Sequence, residues 1–372
     1  MTSPPGAVPA TPAGLSLPEQ QPLRLMIVDD SPIARAVLSR MLSNHKDMEV
    51  VALASNAAEA LDTLQNTRVD IVLLDVEMPG TSGLEALPEI LRLGNGARVI
   101  IVSSLVEDGA EAAIRAMSLG AADTLPKPGA GNFGGRFSEV LGERLRRIGR
   151  VHRSSAGGSK SVPAADSPPL NLRPMTDQRL GCLALGASTG GLHALSEFLR
   201  ALPTRISAPI LITQHLPTVF MPFFARQIEA ASGRLSRVAE NGMTLTPEQI
   251  LVAPGDAHLA LERIGSRIVV QLTDAPASSG CMPSVDTMLW SVSEIYGRSG
   301  IGVVFSGMGR DGLVGSARIV DRGGAVLVQN QQSSAVWGMP RAVAEAGLAS
   351  AVLAPAELAV RVASRAESSS WR

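Results

Sequence analysis

The hydrophobic residues in the first part of the chain fall into five short runs, and the segments between the runs have apolar residues at helical spacing. The runs cover residues 23–28, 48–53, 69–74, 98–102 and 121–125. Short apolar runs that alternate with helical patterns predict a parallel sheet with helices on both faces. A last helix is predicted before residue 150, and its apolar face consists of Phe137, Leu141, Leu145 and Ile148. Residues 23–150 are therefore predicted to form one doubly wound α/β domain.

The same alternation returns in the second half of the chain. Six more apolar runs cover residues 182–185, 209–213, 249–252, 268–272, 302–305 and 325–328. Helical segments between several of these runs predict a second α/β domain over residues 179–365. Residues 151–178 are rich in Ser, Pro, Gly and Ala, which predicts a flexible linker. Residues 1–22, with six prolines, are expected to be a disordered leader, and residues 366–372 a frayed tail.

Composition narrows the class of protein. Of 372 residues, 45% are hydrophobic and 18% are charged, which excludes a wholly disordered chain and suits two folded domains. A net charge of −1, with 15 arginines against 14 acids from residue 181 onward, offers no basic surface for nucleic acid. Two cysteines indicate a reducing compartment. Because no signal peptide or membrane-spanning run is visible, a cytoplasmic protein without membrane insertion is expected.

Acidic side chains follow two of the predicted strands in the first domain. Asp29 and Asp30 come directly after the first strand, and Asp75 comes after the third. Lys127 follows the fifth strand, and Ser103 ends the fourth. The carboxyl ends of parallel strands meet at one edge of a sheet, and clustered carboxylates favour a hard divalent ion such as Mg²⁺. Each acid alone is equally typical of a helix cap, but the five positions together favour a site.

This constellation resembles the response-regulator receiver domain over residues 23–150. The resemblance implies a flavodoxin-like (βα)5 fold in which Asp75 accepts a phosphoryl group from a histidine kinase. It also implies that Ser103 and Lys127 contact the phosphoryl oxygens. The Mg²⁺ ligands it implies are Asp29, Asp30, Asp75 and the main-chain carbonyl of Glu77. The chain departs from the family pattern at Thr124, where many receivers carry an aromatic switch residue.

A candidate nucleophile opens the second domain. Residues 186–190 read G-A-S-T-G between a predicted strand and a predicted helix, and they match the G-x-S-x-G elbow in the context that the motif requires. The elbow would present Ser188 on a sharp turn. Main-chain N–H groups near Thr189 and Gly190 are candidate donors to an oxyanion. A glycine-rich strand-to-helix turn without catalytic function has the same pattern.

A serine nucleophile needs a base, and three of the five histidines lie in the second domain. His193 lies on the same predicted helix as the elbow and is expected to point away from Ser188. His215 ends the strand in PILITQHLP, at the same sheet edge as Ser188. His258, in APGDAHLA, is the alternative on a nearby loop. Position favours His215.

The acid that orients the base also has competitors. Asp311 follows the strand GIGVVFS, again at a carboxyl end. Asp286, in PSVDTMLW, is typical of the start of a helix, and Asp256 of a turn. The order Ser188, His215, Asp311 differs from the Ser, Asp/Glu, His order of α/β-hydrolases, which predicts a different fold.

Residues 307–312 also match G-x-G-x-x-G, which raises a dinucleotide site as an alternative. The next predicted strand ends in Gln329 and Asn330, without the acid that receives a ribose hydroxyl. This alternative is therefore disfavoured.

Five motifs in order, GASTGG, ITQHLP, PSVDTML, VVFSGMGRDG and VWGMPRAV, resemble the catalytic domain of the CheB family of protein-glutamate methylesterase/protein-glutamine glutaminases. The resemblance implies a Rossmann-like doubly wound parallel sheet and a triad of Ser188, His215 and Asp311, with Thr189 and Met308 lining the site. The implied reactions are hydrolysis of glutamate methyl esters on chemoreceptors and deamidation of receptor glutamines, with no cofactor for the esterase reaction.

Joining a phosphoacceptor to a hydrolase by a linker suggests how the chain is regulated. We expect the unphosphorylated receiver to pack over the Ser188 site and phosphorylation of Asp75 to loosen that packing. Two alternatives stay open from the residues: a paralogue serving another signalling array, and a receiver-controlled binding module without hydrolysis. The intact set of Ser188, His215 and Asp311 argues against the second.

Overall fold

The computed structural model describes residues 21–103, 107–127, 135–156, 170–247 and 249–366. Nearly all of the predicted leader, the predicted tail after residue 366 and the middle of the predicted linker lie outside these ranges. Two α/β domains are present, as the sequence predicts.

The first domain is a five-stranded parallel sheet in the order β2-β1-β3-β4-β5. Its strands are β1 Leu23–Val28, β2 Met48–Ala54, β3 Ile71–Asp75, β4 Arg98–Ser103 and β5 Asp123–Pro126. Its helices are α1 Pro32–Ser43, α2 Ala57–Asn66, α3 Gly83–Leu93, α4 Glu107–Ser118 and α5 Gly135–Ala156. The observed strands fall on the five apolar runs, and the (βα)5 fold is confirmed.

Polar residues fix where the first helices begin. Ser31 accepts a hydrogen bond from the Ala34 N–H at the start of α1, so the residue after the paired aspartates serves as the helix cap. Ser82 and Glu85 form a capping box at the start of α3. These caps fix where the loops after β1 and β3 end and the helices begin, and the acidic residues lie in those loops.

The second domain is built on a seven-stranded parallel sheet in the order β14-β13-β12-β6-β7-β9-β8. Its strands are β6 Cys182–Ala187, β7 Ile210–Gln214, β8 Ser236–Val238, β9 Ile250–Val252, β12 Gly300–Val304, β13 Ala325–Gln329 and β14 Ala351–Leu353. Its helices are α6 Gly191–Ala201, α7 Met221–Ser232, α8 Val285–Tyr296, α9 Leu313–Asp321, α10 Met339–Glu345 and α11 Pro355–Ala366. The Rossmann-like parallel arrangement is confirmed.

An antiparallel hairpin of β10 His258–Ile264 and β11 Arg267–Thr273 lies apart from this sheet. The strand predicted over residues 268–272 is present as β11, but its expected place in the parallel sheet is wrong, because it pairs with β10 alone in this hairpin. The pattern that signals a hairpin is the two-residue turn Gly265–Ser266, where Gly265 has φ +62°. The strands β8, β10 and β14 were not predicted, and two of them are only three residues long.

The predicted linker, residues 151–178, is shorter in the structure. Helix α5 continues to Ala156, because residues 150–156 contain no Gly or Pro before the Gly157–Gly158 pair in the sequence. At the other end, the Arg173 N–H donates to the Ala349 carbonyl at 2.9 Å, and Thr176 Oγ1 donates to the Arg298 carbonyl at 3.0 Å. Residues 173–176 are thus attached to the second domain.

The two domains pack directly against each other. Helix α4 contacts α6 and α7, and its Ile114 and Met117 belong to one buried apolar cluster with Leu195 and Phe220. Polar contacts flank this cluster, including His193 Nδ1 at 3.1 Å from the Ser118 carbonyl.

Among the described residues, no helix has both the length and the apolar composition needed to span a membrane.

Candidate active site

Three candidate residues follow adjacent strands of the second sheet. Strand β6 lies between β7 and β12. The chain adds β7 on one side of β6 first, and β12 pairs with the other side of β6 only later in the sequence, so the strand order reverses at β6. Ligands bind at such a reversal of strand order, outside the carboxyl ends of the strands. Ser188 follows β6, His215 follows β7 and Asp311 follows β12. All three line one cavity of about 950 Å³.

The turn that carries Ser188 is held from neighbouring strands. The Ser188 N–H donates to the Ser306 carbonyl at 3.0 Å, and Gln214 Nε2 donates to the Ser188 carbonyl at 2.8 Å. Gly190 has φ +72°, and a Cβ there would lie 2.2 Å from the Ala335 Cβ. The elbow therefore requires glycine at this position for both conformation and space.

His215 and Asp311 form a hydrogen-bonded pair, with Nε2 and Oδ2 2.8 Å apart. The His215 N–H also donates to the Ala187 carbonyl at 3.2 Å, which ties the end of β7 to the end of β6. Burial disfavours the charged imidazole, but the hydrogen bond that His215 donates to Asp311 and the nearby Cys281 outweigh burial and raise the pKa of His215 to about 9. The pair thus favours the imidazolium form.

Asp311 is held in turn by the beginning of α8. Its carboxylate accepts from Ser284 Oγ at 2.8 Å, from the Val285 N–H at 2.7 Å and from the Asp286 N–H at 3.1 Å. Burial favours the neutral acid, but His215 and these donors outweigh burial and hold the pKa of Asp311 well below its usual range. A fixed, charged carboxylate is suited to orient a histidine and to stabilise its protonated form.

Ser188 shares the cavity with this pair but makes no hydrogen bond from its Oγ to His215 among the described residues. The structure therefore brings the predicted triad together as one formed pair and one adjacent nucleophile. In free enzymes, catalytic hydrogen bonds are often long and tighten only when substrate is bound.

The main-chain N–H groups considered as oxyanion donors differ in whether they are already hydrogen-bonded. The Gly190 N–H donates to the Ala122 carbonyl of the first domain at 2.7 Å, so it is not free in this arrangement. No hydrogen bond among the described residues takes up the main-chain N–H of Thr189 or Met308, and both residues line the cavity. Those two amides are the better candidates, and the expectation that the Gly190 N–H is free is wrong for this domain arrangement.

The competing histidines have other partners. His258 is fully buried, and its Nδ1 accepts from the Ser284 N–H at 2.9 Å while its Nε2 lies 3.0 Å from the Ala275 carbonyl. Both ring nitrogens are engaged, so His258 supports the start of α8. His193, expected to point away from the elbow, lies at the domain interface.

Of the competing acids, Asp286 also lines the cavity, but its carboxylate is engaged by α9. Asp286 Oδ1 accepts from the Gly315 N–H at 2.7 Å, and burial, with the charge of Asp311, raises the pKa of Asp286 to about 6. Asp256 is exposed in a turn. Gln329 stands at the strand end where a dinucleotide site would need an acid for the ribose hydroxyl. Its Oε1 instead accepts a hydrogen bond from the Ser306 N–H at 2.7 Å.

Three functional residues were not anticipated from the sequence. Gln214 and Ser306 hold the elbow, and both stand at the ends of strands, which is the signal that identified His215. Cys281 also lines the cavity beside His215. Its place depends on a loop whose path the sequence pattern does not predict.

The first domain brings its own predicted site together. Lys127 Nζ lies 2.6 Å from Asp75 Oδ2 and 3.7 Å from Asp29 Oδ2. Burial raises the pKa of Asp75, against the opposing effect of Lys127. Oxygens of Asp29, Asp30 and Asp75 lie within 4.8 Å of one another, and Asp29 Oδ2 is buried without a hydrogen-bond partner among the described residues. An oxygen-only donor set with one unsatisfied oxygen fits Mg²⁺.

The two remaining residues of this predicted site are Glu77 and Ser103. The Glu77 N–H donates to Asp75 Oδ1 at 3.2 Å, which places Glu77 next to the acids. Ser103 ends β4, and its side chain lies outside the described part of the structure.

The first domain also contributes to the wall of the cavity around Ser188. The contributing side chains are Asp123, Thr124, Arg144 and Arg147. Thr189 Oγ1 donates to Asp123 Oδ2 at 3.3 Å, and Arg144 Nη1 lies 3.5 Å from the same carboxylate oxygen. Thr124, the departure from the receiver pattern, is thus a buried residue at this interface.

Comparison with known proteins identifies both domains. Residues 25–132 match the response regulator receiver domain model, and residues 183–362 match the CheB methylesterase model. The chain is 37% identical to a protein-glutamate methylesterase/protein-glutamine glutaminase of Paramagnetospirillum magneticum, over 92% of this chain and 96% of that protein. It is 39% identical to one of Caulobacter vibrioides, over 93% and 99%. The Thermotoga maritima CheB catalytic domain is 31% identical, with a TM-score of 0.49, over 50% of this chain and 98% of that one.

These matches define the class of protein as a response regulator, with a receiver domain joined to a CheB methylesterase domain. The chain belongs to the protein-glutamate methylesterase/protein-glutamine glutaminase family. The predicted family, fold class and enzyme class are confirmed.

Proposed function

We propose that the chain is a phosphorylation-activated serine hydrolase of chemotaxis adaptation. It removes γ-methyl esters from glutamates of chemoreceptors, releasing methanol, and deamidates certain receptor glutamines to glutamate. The observation that carries the proposal is the His215–Asp311 pair beside Ser188 at the reversal of strand order. A histidine kinase is the phosphodonor partner, nucleic acid is not a partner, and the cytoplasm remains the predicted location.

The first chemical step is attack by Ser188 Oγ on the ester or amide carbonyl carbon. Because His215 Nε2 faces Asp311, Nδ1 is the ring nitrogen left to take the Ser188 proton. Asp311 stabilises the imidazolium that forms, and this agrees with the raised pKa of His215. The carbonyl oxygen becomes an oxyanion, to which the main-chain N–H groups of Thr189 and Met308 are placed to donate.

Collapse of this intermediate passes the His215 proton to the leaving group, which departs as methanol from an ester or as ammonia from an amide. A γ-glutamyl ester of Ser188 remains. Water then gives a proton to His215 and attacks this ester, and the same proton returns to Ser188 Oγ. Receptor glutamate is released in both reactions.

The receiver domain regulates this site through β5. The main-chain carbonyl of Ala122 and the carboxylate of Asp123 engage Gly190 and Thr189 directly. Lys127, which contacts Asp75, directly follows β5. A phosphoryl group on Asp75 changes the charge that Lys127 must balance, and β5 carries that change to the elbow.

Mg²⁺, held by Asp29, Asp30, Asp75 and the Glu77 carbonyl, would supply positive charge during phosphoryl transfer. Asp75 provides the nucleophilic oxygen, and Lys127 orients the phosphoryl group by charge. Ser103 is proposed as its other contact. The esterase reaction uses no cofactor in this proposal.

The test is methanol release from methylated chemoreceptor membranes. Wild type should release methanol faster with a small-molecule phosphodonor and Mg²⁺, and Asp75→Asn should lose the increase while keeping the basal rate. An Asp75→Asn protein that still responds to the phosphodonor contradicts the proposed regulation.

A further inference from the structure

Cys281 lies next to the catalytic pair, although the proposed reaction gives it no part. It lies beside His215 and lines the same cavity as Ser188. One atom each from His215, Cys281 and Asp311 forms a group whose members all lie within 4.8 Å of one another. A ring nitrogen, a sulfur and a carboxylate oxygen therefore converge at one wall of the cavity.

This donor set differs in kind from the acids of the receiver domain. Nitrogen, sulfur and carboxylate oxygen are the ligands of zinc, whereas Mg²⁺ prefers oxygen alone. Zinc bonds of about 2.0 to 2.3 Å place tetrahedral ligand atoms roughly 3.3 to 3.8 Å apart. His215 Nε2 and Asp311 Oδ2, now 2.8 Å apart, need to separate by about 0.5 to 1 Å, and the sulfur, within 4.8 Å of both, needs to approach by at most about 1.5 Å.

We propose that a thiophilic divalent cation, of which Zn²⁺ is the biological example, binds Cys281, His215 and Asp311 and switches the hydrolase off. The Cys281 thiol loses its proton to solvent on binding. The metal replaces the hydrogen bond between His215 and Asp311, and the fourth ligand position faces the cavity, where water can occupy it.

The surroundings allow this rearrangement. Cys281 is half-buried and is held locally by weak contacts, from its N–H to Ser279 Oγ at 3.3 Å and from its Sγ to the Ser279 carbonyl at 3.9 Å. Asp311 is fixed by the main chain at the start of α8, so it keeps its orientation without the His215 bond. The cysteine is the ligand that moves.

The inhibitory effect rests on the proposed function, but metal binding does not. A His215 whose ring nitrogen is bound to metal, or whose ring is turned away from Ser188, cannot take the serine proton. Saturation with metal should therefore lower esterase activity toward that of an enzyme without its base, by roughly 10³-fold or more.

Binding is tested first with Cd²⁺, whose bond to a thiolate gives an ultraviolet charge-transfer band. The full-length protein is titrated in excess Mg²⁺, which occupies the receiver acids. The chain has two cysteines, and Cys182 is fully buried in β6. In wild type and in the control Cys182→Ala, we expect the band to saturate at one Cd²⁺ per chain. We expect no band in Cys281→Ala or Cys281→Ser. No band in wild type, or a band that persists in folded Cys281→Ala, overturns the proposal.

Inhibition is tested with Zn²⁺ on methanol release, with each variant compared with its own metal-free rate. Wild type and Cys182→Ala should lose activity at the metal concentrations that saturate the site, and Cys281→Ala should require much more metal. Equal inhibition of all three overturns the switch. If metal-free wild type releases no methanol, the proposed function fails, and the Cd²⁺ band still decides the metal site.

Discussion

The main-chain N–H of Gly190 donates a 2.7 Å hydrogen bond to the carbonyl oxygen of Ala122, although the two residues belong to different domains. Gly190 is two residues after the proposed nucleophile, and Ala122 directly precedes β5 of the receiver. The receiver therefore does more than cover the active site. It holds the elbow itself, so we expect release of the receiver both to open the cavity and to free the Gly190 N–H.

Removing the Asp123 carboxylate should raise activity without phosphorylation. Asp123 accepts from Thr189, and burial raises its pKa. Asp123→Ala should weaken the closed arrangement by about 1 kcal/mol and raise basal methanol release by about fivefold, with a smaller response to phosphodonor. Glu111→Gln removes an exposed interdomain contact to Arg226 and is the control, with little change expected. Equal basal rates in Asp123→Ala and wild type would sink this explanation.

The pH dependence of esterase activity should report the His215–Asp311 pair. Burial lowers the pKa of His215, but the Asp311 carboxylate and the nearby Cys281 outweigh burial and raise this pKa to about 9. Only the neutral ring can take the Ser188 proton. In wild type, kcat/KM should therefore rise with pH until about pH 9. In Asp311→Asn the rise should move to lower pH, because the stabilising charge is gone, and the plateau should fall by roughly 10⁴-fold. An unchanged midpoint in Asp311→Asn would show that another group titrates.

The two histidines that compete as the base should behave differently on substitution. His258→Ala leaves the Ser284 N–H without its buried acceptor, so the free energy of unfolding should fall by about 1–3 kcal/mol in denaturant titrations. The folded fraction should still release methanol. His215→Ala should fold normally and lose activity. If folded His258→Ala is as inactive as His215→Ala, His258 has a catalytic part that its hydrogen bonds do not reveal.

Lys127 should matter only for the response to phosphorylation. It contacts Asp75 and Asp29, whereas Lys46 is exposed. Lys127→Ala should keep basal methanol release within about twofold and lose most of the increase with phosphodonor. Lys46→Ala is the matched control and should respond like wild type. A full response in Lys127→Ala contradicts the path through β5.

The sequence predicts the fold well, and it predicts those candidate residues that come directly after a strand. Asp75, Ser188, His215 and Asp311 could be found because each stands at a strand's carboxyl end, and parallel strands bring those ends together. The bond from Gly190 to Ala122 and the position of Cys281 depend on packing between distant segments, for which periodicity carries no signal.

The central claim is that Ser188 is the nucleophile of a receiver-controlled esterase. The most direct test is methanol release from methylated chemoreceptor membranes by wild type and Ser188→Ala, each with and without phosphodonor and Mg²⁺. The account predicts release that rises with phosphodonor in wild type and falls by roughly 10³-fold or more in Ser188→Ala. Equal release by the two folded proteins, or none from wild type under either condition, would contradict it.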